Sequence, residues 1–185
     1  MFKRAILNTA TRCSMRRVPR QPSRLLASHD ESVPSLAVLQ GWNNKLLGLV
    51  INVVVVEGKG LGVVARITLP AGAVVAEYNY RVVNRARCPP GDYRVDVAGK
   101  PRSVGKIDRH TFGPPNSGVA RVGALLNEPS VDTTPNCVRV DVGRNPSAPG
   151  GRASRGTFHL VTTRHVCPGE ELTWNYGTTY GTRAY

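Results

Sequence analysis

Acidic side chains are scarce in this chain: 12 Asp and Glu stand against 25 Lys and Arg in 185 residues, a formal net charge of +13. The first 28 residues contain none, yet they hold seven cations (Lys3, Arg4, Arg12, Arg16, Arg17, Arg20 and Arg24), over half of the excess. An Arg-rich, acid-free stretch bearing Ser and Thr, with Phe2 and Ile6 four apart, has the composition of an organelle transit peptide. It predicts a mitochondrial location, with the nucleus as the alternative. A basic arm touching nucleic acid or anionic lipid fits the same residues. Long apolar runs are also missing. The longest, Leu46 to Val56, is broken by Gly48 and Asn52 and falls short of the ~20 residues that span a bilayer, so no membrane partner is expected. The four cysteines form no C-x-x-C pair, and no His lies at metal spacing from two of them, which argues against a metal centre and against a disulfide framework. The thiols are read as reduced and mostly packed.

Clean helical periodicity is lacking as well, and Val119–Leu126 is the best short helix candidate. Hydrophobic content of 41% excludes a disordered composition. The chain reads as one mostly β domain behind a basic tail and linker over residues 1–45, with ordered structure from about Leu46. Leu49–Val56, Val63–Ala65, Val74–Tyr78, Tyr93–Val97, Cys137–Val142, Phe158–Thr163 and Glu171–Trp174 are the expected strands. Residues 81–118, rich in Pro, Gly and charge, look like an insertion with one strand inside it. Asn145–Gly156 has the composition of a long hairpin loop. One internal echo stands out. Arg66-Ile67-Thr68-Leu69-Pro70-Ala71-Gly72 leads by a strand to Asn79-Tyr80. Arg164-His165-Val166-Cys167-Pro168-Gly169 leads likewise to Asn175-Tyr176. This suggests two small sheets built alike.

Val53–Val56 followed by Gly58-Lys59-Gly60-Leu61-Gly62 invites a dinucleotide-binding reading, with Glu77 about 20 residues on. The segment after the glycines excludes it. Only eleven residues separate Gly62 from Val74, and they include Pro70 and Gly72, so no crossover helix fits. The glycines instead join two strands, where the missing Cβ lets backbone approach a ligand.

In this order the motifs resemble the SET-domain protein lysine methyltransferases, over about Leu46 to Tyr180. Gly58 to Ala65 is similar to the family's opening motif. Glu77-Tyr78-Asn79-Tyr80 is similar to the E-Y-x-G element, with Tyr80 in place of Gly. Tyr93-Arg94-Val95-Asp96-Val97 resembles the insertion strand. Leu126-Asn127-Glu128-Pro129 through Pro135-Asn136-Cys137 resembles the asparagine-histidine loop, with Glu128 in place of His. Leu172-Thr173-Trp174-Asn175-Tyr176-Gly177 is similar to the final catalytic strand. The cysteine-rich tail found after the domain in many members is missing from residues 178–185. The resemblance implies small sheets with a knot-like crossing near the C-terminus and few short helices, a domain over 46–180 and a short end at 181–185. It implies S-adenosylmethionine as cofactor, and a protein substrate, histone or non-histone, carrying the target lysine. Lys59, Gly60, Leu61, Tyr93, Leu126, Asn127, Glu128 and Tyr180 are the implied cofactor-binding positions.

Methyl transfer from a sulfonium to an amine is an in-line displacement, so the protein mainly positions and desolvates. The amine must be neutral although lysine ordinarily titrates near about 10.4, and a narrow aromatic channel beside a cationic donor favours the neutral form. Tyr176 is the candidate catalytic residue, its hydroxyl orienting the amine or the methyl. Trp174 walls the lysine channel, and a bulky wall predicts mono-methylation. Tyr78 borders the channel as a packed rather than catalytic ring. Asp92, Asp96 and Asp108 are the acids near a substrate groove. Two other classes compete with the enzyme: a catalytically silent SET-like protein-binding module, and a basic nucleic-acid-binding domain. The body has no aromatic–basic interleaving of an RNA-reading sheet, so nucleic acid is expected only at the basic tail.

Overall fold

The computed structural model describes residues 33–42, 50–88, 93–108, 110–113, 119–145 and 155–177. The basic residues 1–28, Asp92 and Tyr180 lie outside them. A seven-residue helix, α1 (Leu36–Trp42), stands within the stretch read as linker, its turn closed by Leu39 N–H donating to Ser35 O (3.1 Å). Leu39 is fully buried and joins the core. A helix of about two turns is too short to leave a periodic signal in the sequence.

Among the described residues seven strands follow: β1 (Ile51–Val56), β2 (Gly60–Ala65), β3 (Val74–Asn84), β4 (Arg94–Asp96), β5 (Ser103–Lys106), β6 (Cys137–Asn145) and β7 (Arg155–Thr162). β1 and β2 form a two-stranded antiparallel hairpin, Val56 opposite Gly60. The glycine turn therefore joins strands and starts no helix. The other five make an antiparallel sheet in the order β4-β5-β3-β7-β6. Short 3-10 turns at Arg85–Arg87 and Gly123–Leu125 are the remaining helical pieces among the described residues.

Four sequence expectations are corrected. β3 continues through Arg81 to Asn84, and the insertion holds two strands, β4 and β5, where one was expected. Ser103–Lys106 lacks an apolar run but finds ladder partners on both sides. Glu171–Trp174 is not a ladder strand; it makes isolated bridges only, Val64 with Glu171 and Asn127 with Thr173. Cys167 is disulfide-bonded, while Cys88 and Cys137 are buried free thiols, so the thiols are not uniformly reduced.

Tyr80, which stands where the family has Gly, is buried in the core. Space for it comes from its neighbours. A Cβ on Gly105 of β5 or on Gly156 of β7 would strike the Tyr80 ring, so two strands flanking β3 supply the missing volume. The core continues through Phe158, Leu160, Leu125, Leu126, Leu172 and Trp174. On β6, Val138, Val140 and Val142 face outward, while Arg139 on the opposite face lays its guanidinium 4.3 Å over the Phe158 ring.

The echoed turns pair with each other. Leu69 and Val166 exchange backbone bonds of 2.9 and 3.0 Å; Gly72 N–H donates to Thr162 O, and Gly169 N–H to Ala65 O (both 2.8 Å). Thr162 N–H donates to Ala73 O, and Ala65 N–H to Glu170 O. One offset of 97 residues, from 69 to 166 and from 72 to 169, relates every bond to its counterpart. Gly72 and Gly169 both take φ of +81°, a value glycine adopts without steric cost.

Candidate active site

Three separate segments meet at residues 170–177. From the first side, Leu172 N–H donates to Val63 O of β2 (2.8 Å). From the second, Trp174 N–H donates to Asn127 O (3.0 Å). From the third, buried Asn136 accepts Thr173 N–H at its Oδ1 (2.9 Å) and donates to Glu171 O (2.8 Å) and Glu170 Oε1 (3.1 Å). Cys137 N–H adds a bond to Thr173 O (2.9 Å). This is the crossing near the C-terminus: the backbone satisfies its donors and acceptors one at a time on several partners, not along one ladder.

That crossing delivers Trp174 and Tyr176 to one carbonyl. The Tyr176 hydroxyl donates to Leu126 O at 2.6 Å, and the Trp174 indole Nε1–H donates to the same oxygen at 3.2 Å. Their ring centroids lie 5.0 Å apart. Tyr78 meets Trp174 edge-on at 6.4 Å and stacks on Phe158 at 4.7 Å, so the wall is a continuous run of rings. The Tyr78 hydroxyl donates to Tyr93 O (3.2 Å). Tyr93 has φ of +58°, a left-handed conformation that costs a non-glycine residue about 1–2 kcal/mol. Tyr176 is half-buried, Trp174 buried.

The asparagine loop is tied to the glycine hairpin. Asn127 Nδ2 donates to Leu61 O (3.0 Å) and to Glu171 Oε1 (2.9 Å), which uses both amide protons inside the protein. Lys59 Nζ bonds Glu128 O (2.8 Å) and Glu171 Oε2 (3.1 Å), its side chain only 4% exposed. Glu128, the residue in place of His, accepts the backbone N–H of Tyr176 at Oε1 (3.2 Å). A carboxylate at this position thus holds the phenol-bearing residue directly. Glu171 and Asn136 are members of this network that sequence reading did not single out for a role. Their partners lie 34 to 112 residues away, and no local pattern announces a contact at that range.

Sequence reading places Lys59, Leu61, Tyr78, Leu126, Asn127, Glu128, Trp174 and Tyr176 in one site, and the structure brings them together; Tyr93 joins through Tyr78. Gly58 and Gly60 have φ of +74° and +82° with open space where a Cβ would stand, so this turn presents bare backbone to anything that approaches it. The acids assigned to a groove are occupied: Asp96 bonds Arg85 (2.5 Å), and Asp108 bonds Arg155 (2.8 Å). Burial pushes the Cys137 thiol up to about 12, leaving it protonated and unreactive at neutral pH. Among the described residues no cluster of His, Cys, Asp and Glu would hold a metal ion, and no helix is long and apolar enough to cross a membrane.

The fold of small antiparallel sheets, the interlocked crossing and the ordered motifs define a SET domain. The model of the SET domain family matches residues 60–177, and the chain belongs to that family. The chain is also similar to the crystal structure of KRYPTONITE in complex with mCHH DNA, H3(1-15) peptide and SAH, at 23% identity and a TM-score of 0.46, over 69% of this chain. The matched part spans 23% of that protein's chain. No curated protein matches.

Proposed function

We propose that this protein is an S-adenosylmethionine-dependent protein-lysine N-methyltransferase. The observation that carries the reading is the convergence of Tyr176 and Trp174 on Leu126 O, next to a loop bonded to the glycine hairpin. When bound, the cofactor supplies an electrophilic methyl group on a sulfonium. Gly58 and Gly60 fit such a ligand because nothing occupies their side-chain positions. The backbone of Lys59, Gly60, Leu61, Leu126, Asn127 and Glu128, with Tyr93, would hold it. Asn127 acts chiefly through its backbone, since its amide protons are already engaged.

The Tyr176 phenol has one proton and donates it to Leu126 O. Its lone pairs therefore point away from that carbonyl and accept an N–H of the incoming amine. This turns the nitrogen lone pair toward the methyl without ionising the phenol. The aromatic walls of Trp174 and Tyr78 exclude water and disfavour the charged ammonium. The substrate is a lysine in a protein, and the Trp174 wall limits the product to the mono-methylated form.

Calorimetry with S-adenosylmethionine followed by a methylation assay on whole-proteome substrate, read by lysine masses, tests this. Binding with turnover in the wild type, and binding without turnover in Tyr176→Phe, is the expected result. Cofactor binding without turnover in the wild type would identify a silent binding module instead. That reading draws on the Tyr176 hydroxyl and the Trp174 indole both being satisfied inside the protein.

A further inference from the structure

Positive charge is unevenly placed within the folded body as well. After residue 28 the chain holds 18 Lys and Arg against 12 acids, and residues 81–106 alone hold seven against two. The strand register sharpens this. Arg94 lies opposite Lys106, Lys106 opposite Arg81, and Arg81 opposite Arg155. Cross-strand partners share a sheet face. Four cations therefore stand in one row across β4, β5, β3 and β7, over roughly 14 Å at about 4.8 Å per strand. Arg81, Lys106 and Arg155 are exposed and Arg94 is half-buried.

Like charges directly opposite each other destabilise a sheet. Arg155 is relieved by Asp108. Among the described residues, no carboxylate is within ion-pair distance of Arg81, Arg94 or Lys106. Arg87 and Arg102 are exposed farther along the same strands and turns. The row of like charges opposes folding, and Arg81 and Lys106 stand exposed in it, so an anionic partner would relieve the repulsion.

We propose that this row binds the sugar–phosphate backbone of a nucleic acid without reading its sequence. A phosphate chain offers repeated unit charges on an extended path, and guanidinium forks match phosphate oxygens. No Phe, Tyr or Trp stands in the rows on this face, which excludes base stacking. One neighbouring row is Asn79 and Thr157, both polar. The other is Val83, Val104 and Asp96, where Val104 is already buried and Asp96 is paired with Arg85, so neither row offers an exposed aromatic anchor to an acidic protein segment. The exposed valines Val138 and Val140 sit on the far edge strand. The site differs from the basic tail to which sequence reading confined nucleic-acid contact, and it does not depend on the methyltransferase reading.

The test is fluorescence anisotropy of the full chain with labelled duplex DNA, and separately with single-stranded RNA, between ~50 and ~200 mM salt. The wild type is compared with the combined Arg81→Ala, Arg94→Ala, Lys106→Ala variant and with Lys106→Glu alone, whose exposed position leaves the fold intact. The slope of log affinity against log salt should fall by about 2 to 3 in the triple variant and by about 1 or more in Lys106→Glu. The arm with the larger change identifies DNA or RNA. Unchanged slopes in both variants would assign all binding to the tail and overturn the proposal, as would no binding of either probe. Equal affinity for an oligo-glutamate peptide, with the same dependence on the three residues, would also overturn it, in favour of an acidic protein partner.

Discussion

The two echoed turns begin alike and end differently. Leu69–Gly72 and Val166–Gly169 pair with each other, share a glycine at φ +81° and exchange matched backbone bonds. The first turn leads into β3, eleven residues in the middle of a five-stranded ladder. The second leads into residues 170–177, which have no ladder and bond several partners in turn. The turn conformation follows from local sequence, but what the following strand becomes depends on its neighbours. Between β5 and β7 a strand is locked along its length. Between β2, the Asn127 loop and Asn136 it is held at single points, which leaves Trp174 and Tyr176 free of a ladder and directed to one carbonyl.

The sharpest way to break this comparison is at its functional end. Tyr176→Phe keeps the ring and removes the hydroxyl that bonds Leu126 O. Loss of the hydroxyl that positions the amine should lower kcat by about 100-fold. The thermal midpoint should hardly move, because Leu126 O keeps the Trp174 indole donor. A variant with wild-type kcat would remove Tyr176 from the mechanism. The structural counterpart is Asn136→Ala. It leaves buried Thr173 N–H without its acceptor and frees two further bonds, at about 3 kcal/mol in denaturant unfolding. Thr162→Val, at the first turn, removes the hydroxyl that accepts Ala73 N–H and donates to Pro70 O, and costs about 1–2 kcal/mol. Equal losses would mean that the ladder around β3 gives no extra security.

How much of this was legible beforehand follows the same division. The glycine hairpin, the motif order and the pairing of Tyr176 with Trp174 were readable because each rests on local spacing. The lengths of β3 and β5 were not, since Arg81–Asn84 and Ser103–Lys106 become strands through partners rather than through their own residues. The resemblance implies the crossing, but Glu171-Leu172-Thr173-Trp174 reads as a ladder strand because it has strand composition, while its backbone partners are Val64 on one side and Asn127 on the other. Glu128 stood out as a departure from the family pattern. Its bond to Tyr176 N–H spans 48 residues, and only the fold reveals it.

A smaller effect sharpens the role of the ring wall. Trp174→Phe removes the indole donor to Leu126 O and reduces the wall against Tyr176. The lost bond and volume cost about 1–2 kcal/mol. The enlarged channel should shift the product from mono- towards di- and trimethyl-lysine, which intact-mass analysis of the substrate measures. An unchanged distribution would show that Trp174 packs without limiting the methyl count.

The smallest expected effect separates the turns by pH. The position related to Glu170 by the 97-residue offset is Ala73, so only the second turn carries a carboxylate there. Burial alone would raise the Glu170 pKa, but hydrogen bonds from Arg164, Cys167 N–H and Asn136 outweigh it and hold the group below its ordinary value of 4.5. A carboxyl with a depressed folded-state pKa binds its proton less readily than the unfolded chain does. Its contribution to stability is therefore complete above pH 4.5 and is lost as the pH falls through the folded value. Glu170 is half-buried, but its Arg164 partner is exposed to solvent, so the contribution is modest. Glu170→Gln should lower the thermal midpoint slightly at pH 7, and the gap to wild type should close on acidification below pH 4.5. A gap that stays constant between pH 7 and pH 3 would show that the glutamine replaces the bonds without loss, and that the second turn is no more acid-sensitive than the first.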